Sequence, residues 1–237
     1  MSDKTPMFSV SQYTTYPLTF EQDVELYQKL GVEGIEVCEE KLSSDPVEAR
    51  EQLKILAESG LKVTSVQPRV LSLFPHNMDT ESDPRTPEDR MKRYRQTIDL
   101  FSECFPDQNI ALVTGGGKAP DFNFRLAHKI AREFYPPLAD YAAQRGVRLM
   151  FEPLSPILMN AFTFITTLDE AVKLVEDVGR ENFGLAVDVW HIWRERGVAE
   201  RLAQLGEMIF GVHVCDWRAR HAFMKPSRPF SITAPGS

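Results

Sequence analysis

The chain has 237 residues, 43% of them hydrophobic, and carries a formal net charge of -7. That length fits one large α/β domain spanning residues 1–237, and no segment reaches the roughly 18 consecutive apolar residues of a membrane helix. The acidic balance disfavours a nucleic-acid backbone as partner and leaves room for a small anionic substrate that needs only one local arginine.

Short apolar runs rich in Val and Ile alternate with longer stretches of helical periodicity, the pattern of repeated βα units around a parallel sheet. The first predicted strand, Met7 to Ser11, is followed by Gln12-Tyr13-Thr14-Thr15-Tyr16 rather than by the Gly-x-Gly-x-x-Gly of a dinucleotide-binding sheet. Thr19 with Gln22 opens a helix as a capping box, and Gly31 stops it before the strand Gly34 to Cys38. Asp45-Pro46 starts the next helix and Gly60 precedes the strand Lys62 to Val66. The longest insertion then runs from Leu71 to Pro87 with Phe74, Pro75, His76, Asn77 and Met78 inside it. It reads either as a lid on the face where βα loops build barrel sites or as a surface loop with apolar plugs.

Thr86, Pro87 and Asp89 start a further helix, ahead of the strand Ile110 to Thr114. Gly115-Gly116-Gly117-Lys118 resembles a phosphate nest but lacks the Walker spacing and the hydroxyl after Lys, so it reads equally as a turn that must leave room above the barrel mouth. Gly146 precedes the strand Arg148 to Phe151, Thr167 with Glu170 caps another helix, and Gly179 ends it. The strands Gly184 to Val187 and Phe210 to Val214 complete a set of seven. Seven strands with helical crossovers fit a doubly wound sheet or a barrel lacking one strand.

Three residues stand out at matching strand ends. Glu152 follows Arg148-Leu149-Met150-Phe151, Asp188 follows Gly184-Leu185-Ala186-Val187, and His213 sits late in the seventh strand. Parallel strands bring such residues to one end of the sheet, and buried carboxylates at the ends of apolar strands need a counter-ion or a metal. Two carboxylates and one imidazole suit a single divalent ion, Mn²⁺, Mg²⁺, Co²⁺ or Zn²⁺. Taken singly, each has a plainer reading as helix cap, ion-pair partner or core histidine. Cys38, Cys104 and Cys215 form no Cys-x-x-Cys pair and read as free thiols of a reducing compartment. Met1-Ser2-Asp3-Lys4 offers no apolar leader, so the cytoplasm is the expected location.

Phe151-Glu152-Pro153, Asp188-Val189-Trp190-His191 and Val212-His213-Val214-Cys215-Asp216 together resemble the xylose-isomerase-like TIM-barrel superfamily, specifically sugar phosphate isomerases/epimerases related to ketose 3-epimerases. The resemblance implies a TIM-type (β/α) barrel and a metal held by Glu152, Asp188 and His213. It also implies substrate contacts from His191 and from Arg218. Glu36, inside Gly34-Ile35-Glu36-Val37, is expected to face the same site, and Trp190 and Trp217 flank the mouth, where they can stack on a sugar face or simply pack. Relatives continue through a Pro-Gly-Glu-Gly turn into an eighth strand bearing a fourth ligand, whereas this chain ends Ala234-Pro235-Gly236-Ser237. An eighth strand is therefore not expected from this chain, and a second subunit in a homo-oligomer or the tail from Ala219 to Ser237 would have to cover the edge.

The implied chemistry is metal-assisted removal of a proton next to a ketose carbonyl, with Glu152 as base. The implied partner is a small sugar or sugar phosphate, with no nucleic acid and no membrane. Competing readings are dehydration of an inosose-type ketone and a sugar-binding relative with impaired or no catalysis. An abasic-site endonuclease fits less well: the third and fourth strands end in Gln67-Pro68 and Thr114-Gly115, without the extra histidines of such enzymes.

Overall fold

The computed structural model describes residues 7–215. Seven parallel strands lie in chain order in one sheet: β1 (Ser9–Ser11), β2 (Gly34–Cys38), β3 (Lys62–Gln67), β4 (Ala111–Thr114), β5 (Arg148–Phe151), β6 (Phe183–Asp188) and β7 (Ile209–His213). The crossovers contain α1 (Phe20–Leu30), α2 (Pro46–Glu58), α3 (Pro87–Cys104), α4 (Phe124–Ala143), α5 (Leu168–Val178), the short α6 (Val189–Ile192) and α7 (Val198–Leu205).

Local chemistry explains most of these boundaries. Thr19 accepts from the Gln22 N–H while the Gln22 side chain accepts from the Thr19 N–H, closing a reciprocal box at the start of α1. Asp45, Thr86 and Thr167 accept from the first-turn amides of α2, α3 and α5. Gly31 and Gly179 take the left-handed conformation that ends α1 and α5.

The sheet curls rather than lying flat. His213 on β7 hydrogen-bonds Glu36 on β2 at 2.9 Å, which strands so far apart in order can do only across a barrel interior. Strand alternation then makes two apolar layers. Leu112, Leu149, Phe151, Leu185 and Val187 pack outward against the helices in the main core, while Ala111, Val113, Met150 and Ala186 form a small cluster inside. Glu152 and Asp188 lie two residues beyond Met150 and Ala186, so the same alternation turns them inward. The fold is a TIM-type barrel with seven described strands, and among the described residues β1 and β7 each pair on one side only.

The stretch 71–87 is a fastened loop rather than a free lid. Arg90, fully buried on α3, donates to the Ser72 and Pro84 carbonyls and pairs with Asp79 at 2.7 Å. The glycine-rich turn after β4 packs against this loop, and two of its amides are spent there rather than held for a phosphate. The Gly115 and Lys118 amides donate to the Leu71 and Pro75 carbonyls. A Cβ on Gly117, at φ +75°, would come within 2.0 Å of the Phe74 oxygen. No helix among the described residues is long and apolar enough to cross a membrane.

Candidate metal centre

Glu152, Asp188 and His191 offer ligand atoms that all lie within 4.8 Å of one another. The Glu152 N–H continues the β4–β5 ladder by donating to the Thr114 carbonyl at 2.9 Å. Asp188 closes β6 and caps α6, its Oδ1 accepting from the Trp190 N–H at 2.7 Å. That cap turns the chain sharply and brings His191 back over the strand end, its Nε2 3.8 Å from Asp188 Oδ2. Cys215 Sγ lies 3.6 Å from Asp188 Oδ1.

The donor set fits a divalent cation. Burial, then the charge of neighbouring Glu152, raises the pKa of Asp188 against the pull of His191 and His213. Converging buried carboxylates of this kind gain most from a bound cation, which replaces lost hydration and cancels their repulsion.

The two histidines differ in what holds their rings. His191 Nδ1 accepts from the Ser155 N–H at 3.1 Å, so the neutral ring carries its proton on Nε2 and presents a donor to the site. That tautomer suits a substrate oxygen rather than a metal. His213 has Glu152 Oε1 3.0 Å from Nδ1 and Glu36 Oε2 2.9 Å from Nε2. Burial would lower its pKa, but Glu36 and then Glu152 raise it well above the ordinary histidine value. By the same pairing Glu36, which burial alone would push up, is brought down to about 2.

Sequence-predicted Glu36, Glu152, Asp188, His191 and His213 therefore come together. Trp190 sits edge-on to His191 with ring centroids 4.9 Å apart. Arg218 and Trp217 lie outside the described residues. Sequence reading missed Ser65 and Gln67, whose side chains meet Glu36, and the Ser155 amide. A cavity of about 90 Å³ opens beside Glu152, lined by the apolar Leu71, Met78, Val113, Leu154 and Phe162 and by the polar Gln67, Ser72, His76 and Thr114. Cys38, fully buried, has a thiol pushed up to about 12 by burial, which fits an inert core residue.

A model of the xylose isomerase-like TIM barrel family matches residues 24–230. Among solved structures, protein SMc04130 from Sinorhizobium meliloti 1021 is 26% identical, with TM-score 0.74 over 92% of this chain and 76% of its own. The IOLI protein with a bound zinc atom is 18% identical, with TM-score 0.68 over 92% of this chain and 77% of its own. D-psicose 3-epimerase in the presence of D-fructose is also 18% identical, with TM-score 0.69 over 92% and 76%. These last two likenesses are likenesses of fold. No curated protein was found to be similar in sequence.

Proposed function

The chain belongs to the xylose isomerase-like TIM-barrel family, and on that footing we propose that it is a divalent-cation-dependent isomerase or epimerase of a small ketose. The observation that carries this reading is the inward convergence of Glu152 and Asp188 beside two differently held imidazoles. Glu152, Asp188 and His213 would hold the cation. Bound there, the cation would polarise a ketose carbonyl and lower the cost of removing the adjacent proton.

Each protein group has a task in that step. Glu152 accepts the proton from the carbon next to the carbonyl, and the electrons of that C–H bond move toward the carbonyl oxygen to give an enediol-type intermediate. Return of the proton by Glu152 to the neighbouring carbon, with a proton passing from one enediol oxygen to the other, isomerises the sugar, whereas epimerisation needs a second acid to protonate the original carbon from the opposite face, the role that the resemblance gives to an eighth-strand Glu. His191 Nε2–H donates to a substrate oxygen and holds the sugar in register. Leu71, Val113, Leu154 and Phe162 give the cavity beside Glu152 apolar walls against which the carbon chain of a sugar can rest.

The cavity beside Glu152, of about 90 Å³, has room for one end of a small substrate. No described Lys or Arg lines it.

The test is turnover of free and phosphorylated ketoses with Mn²⁺, before and after chelation, in the wild type and in Glu152→Gln. Activity should vanish on chelation and fall roughly 10²- to 10⁴-fold in the variant, which keeps the shape and loses the proton acceptor. Near-normal turnover by E152Q would remove Glu152 as the base, and a product lighter by one water would point to dehydration instead.

A further inference from the structure

Glu36 sits on β2, and its side chain is only 4% exposed. Ser65 Oγ donates to its Oε2 at 2.7 Å, and Gln67 Nε2 approaches its Oε1 at 3.4 Å. Both neighbours come from β3, where the register sets Ser65 beside Glu36 and Gln67 beside Cys38. With Oε2 also facing His213 Nε2 at 2.9 Å, Glu36 has little accepting capacity left for a substrate hydroxyl.

The His213 ring is thus gripped at opposite edges, by Glu36 at Nε2 and by Glu152 at Nδ1. Of these carboxylates, Glu152 belongs to the group that converges with Asp188 and His191, and Glu36 does not. We propose that Glu36 is a positioning residue: it holds the Nε2–H of His213, so that Nδ1, which lies 3.0 Å from Glu152 Oε1, is the nitrogen presented to a divalent cation between Glu152 and Asp188. This rests on the metal-site reading above and assigns the other half of the imidazole. A carboxylate on the far nitrogen orients a ligating ring and raises its basicity, and losing such a partner typically weakens metal binding about 10- to 100-fold.

The measurement is calorimetric titration of the full chain with Mn²⁺, with circular dichroism of each cation-free variant as the control for folding. Glu36→Leu should bind roughly 10- to 100-fold more weakly than the wild type. Glu36→Gln, whose amide oxygen still accepts from Nε2–H but carries no charge, should fall between the two. ¹⁵N spectra of histidine-labelled, Zn²⁺-loaded protein should show His213 as the Nε2–H tautomer in the wild type and in E36Q, and a loss of that preference in E36L. If E36L does not fold, Ser65→Ala, which removes one grip on Glu36, should still weaken Mn²⁺ binding measurably.

A wild type that binds no Mn²⁺ would overturn the metal reading together with this one. Tight wild-type binding that E36Q, E36L and S65A all retain would overturn the positioning role alone and leave the metal site standing. An Nδ1–H tautomer for His213 in the loaded wild type would do the same.

Discussion

Whether a buried imidazole is ligand, donor or inert depends on what touches the nitrogen facing away from the site. Ser155 supplies an N–H to His191 and so makes its inner nitrogen a donor, whereas Glu36 supplies an acceptor to one nitrogen of His213 and, on the proposed reading, leaves the other, now beside Glu152, for a cation. His76 shows the same logic away from the centre. Its Nδ1 accepts from the Met78 N–H at 3.2 Å, while Nε2 faces Asp79 at 3.3 Å. Burial lowers its pKa, partly opposed by Asp79. The unfolded chain therefore binds this proton more readily than the folded one, so the contribution to stability is present above the ordinary histidine value of about 6.5 and is lost as pH falls through it. His76→Asn, whose amide oxygen can keep the Met78 contact, should flatten the fall in melting temperature between about pH 7.5 and 5. An unchanged slope would clear His76 of that role. The charged members of the centre are legible in the sequence because each interrupts or ends an apolar strand. Ser65 and Gln67 are not, because two uncharged polar residues either side of Val66 read as the ordinary alternation of a strand, and the Ser155 amide carries no side-chain signature at all.

The elements follow from their punctuation. Every predicted strand is present, β6 being extended at both ends and β1 trimmed to Ser9–Ser11, and every predicted cap makes its hydrogen bond. Where local rules mislead, tertiary packing has overridden them. α4 runs through Pro136-Pro137, which propensity alone would read as a break, because Tyr135, Leu138, Ala139 and Ala142 bury the helix against the core. The triple glycine is likewise a packing device, since Gly116 and Gly117 lie against Phe164 and Phe74. The clearest element-scale dependence is the 71–87 loop on Arg90. Arg90→Ala would remove the guanidinium partner of Asp79, itself buried and left with His76 alone, and free the Ser72 and Pro84 carbonyls. Urea denaturation should show a loss of about 3–5 kcal/mol, the usual cost of breaking a buried pair by removing one partner. Amide exchange should quicken in the loop before it quickens in α3. A loss under about 1 kcal/mol would mean that the pair behaves like an exposed one.

At the scale of the whole molecule, the candidate centre ties together strands that the sheet alone leaves loosely joined. β6 is buried along its length and flanked on both sides, whereas β7 is half-exposed, with Val212 57% exposed, and its described ladder runs to β6 only. Alternating βα units alone fit a flat sheet as well as a barrel. The long-range His213–Glu36 bridge distinguishes them, and a contact spanning most of the chain leaves no local trace in sequence. A cation held by Glu152, Asp188 and His213 would fasten β7 to β5 and β6, and through Glu36 to β2, so its binding energy would enter as folding stability. At a free Mn²⁺ concentration of about 100 Kd that linkage amounts to about 2.7 kcal/mol. For a chain of this size it should raise the melting temperature by roughly 5–10 °C, given about 2–4 °C per kcal/mol. Chelation should reverse the shift. Amide exchange should locate it, slowing most in Ile209–His213 and next in Gly34–Cys38, with Ala111–Thr114 changing least because β4 contributes no ligand. A rise in melting temperature spread evenly over all seven strands, or none at all, would show that cation binding does not fasten this edge.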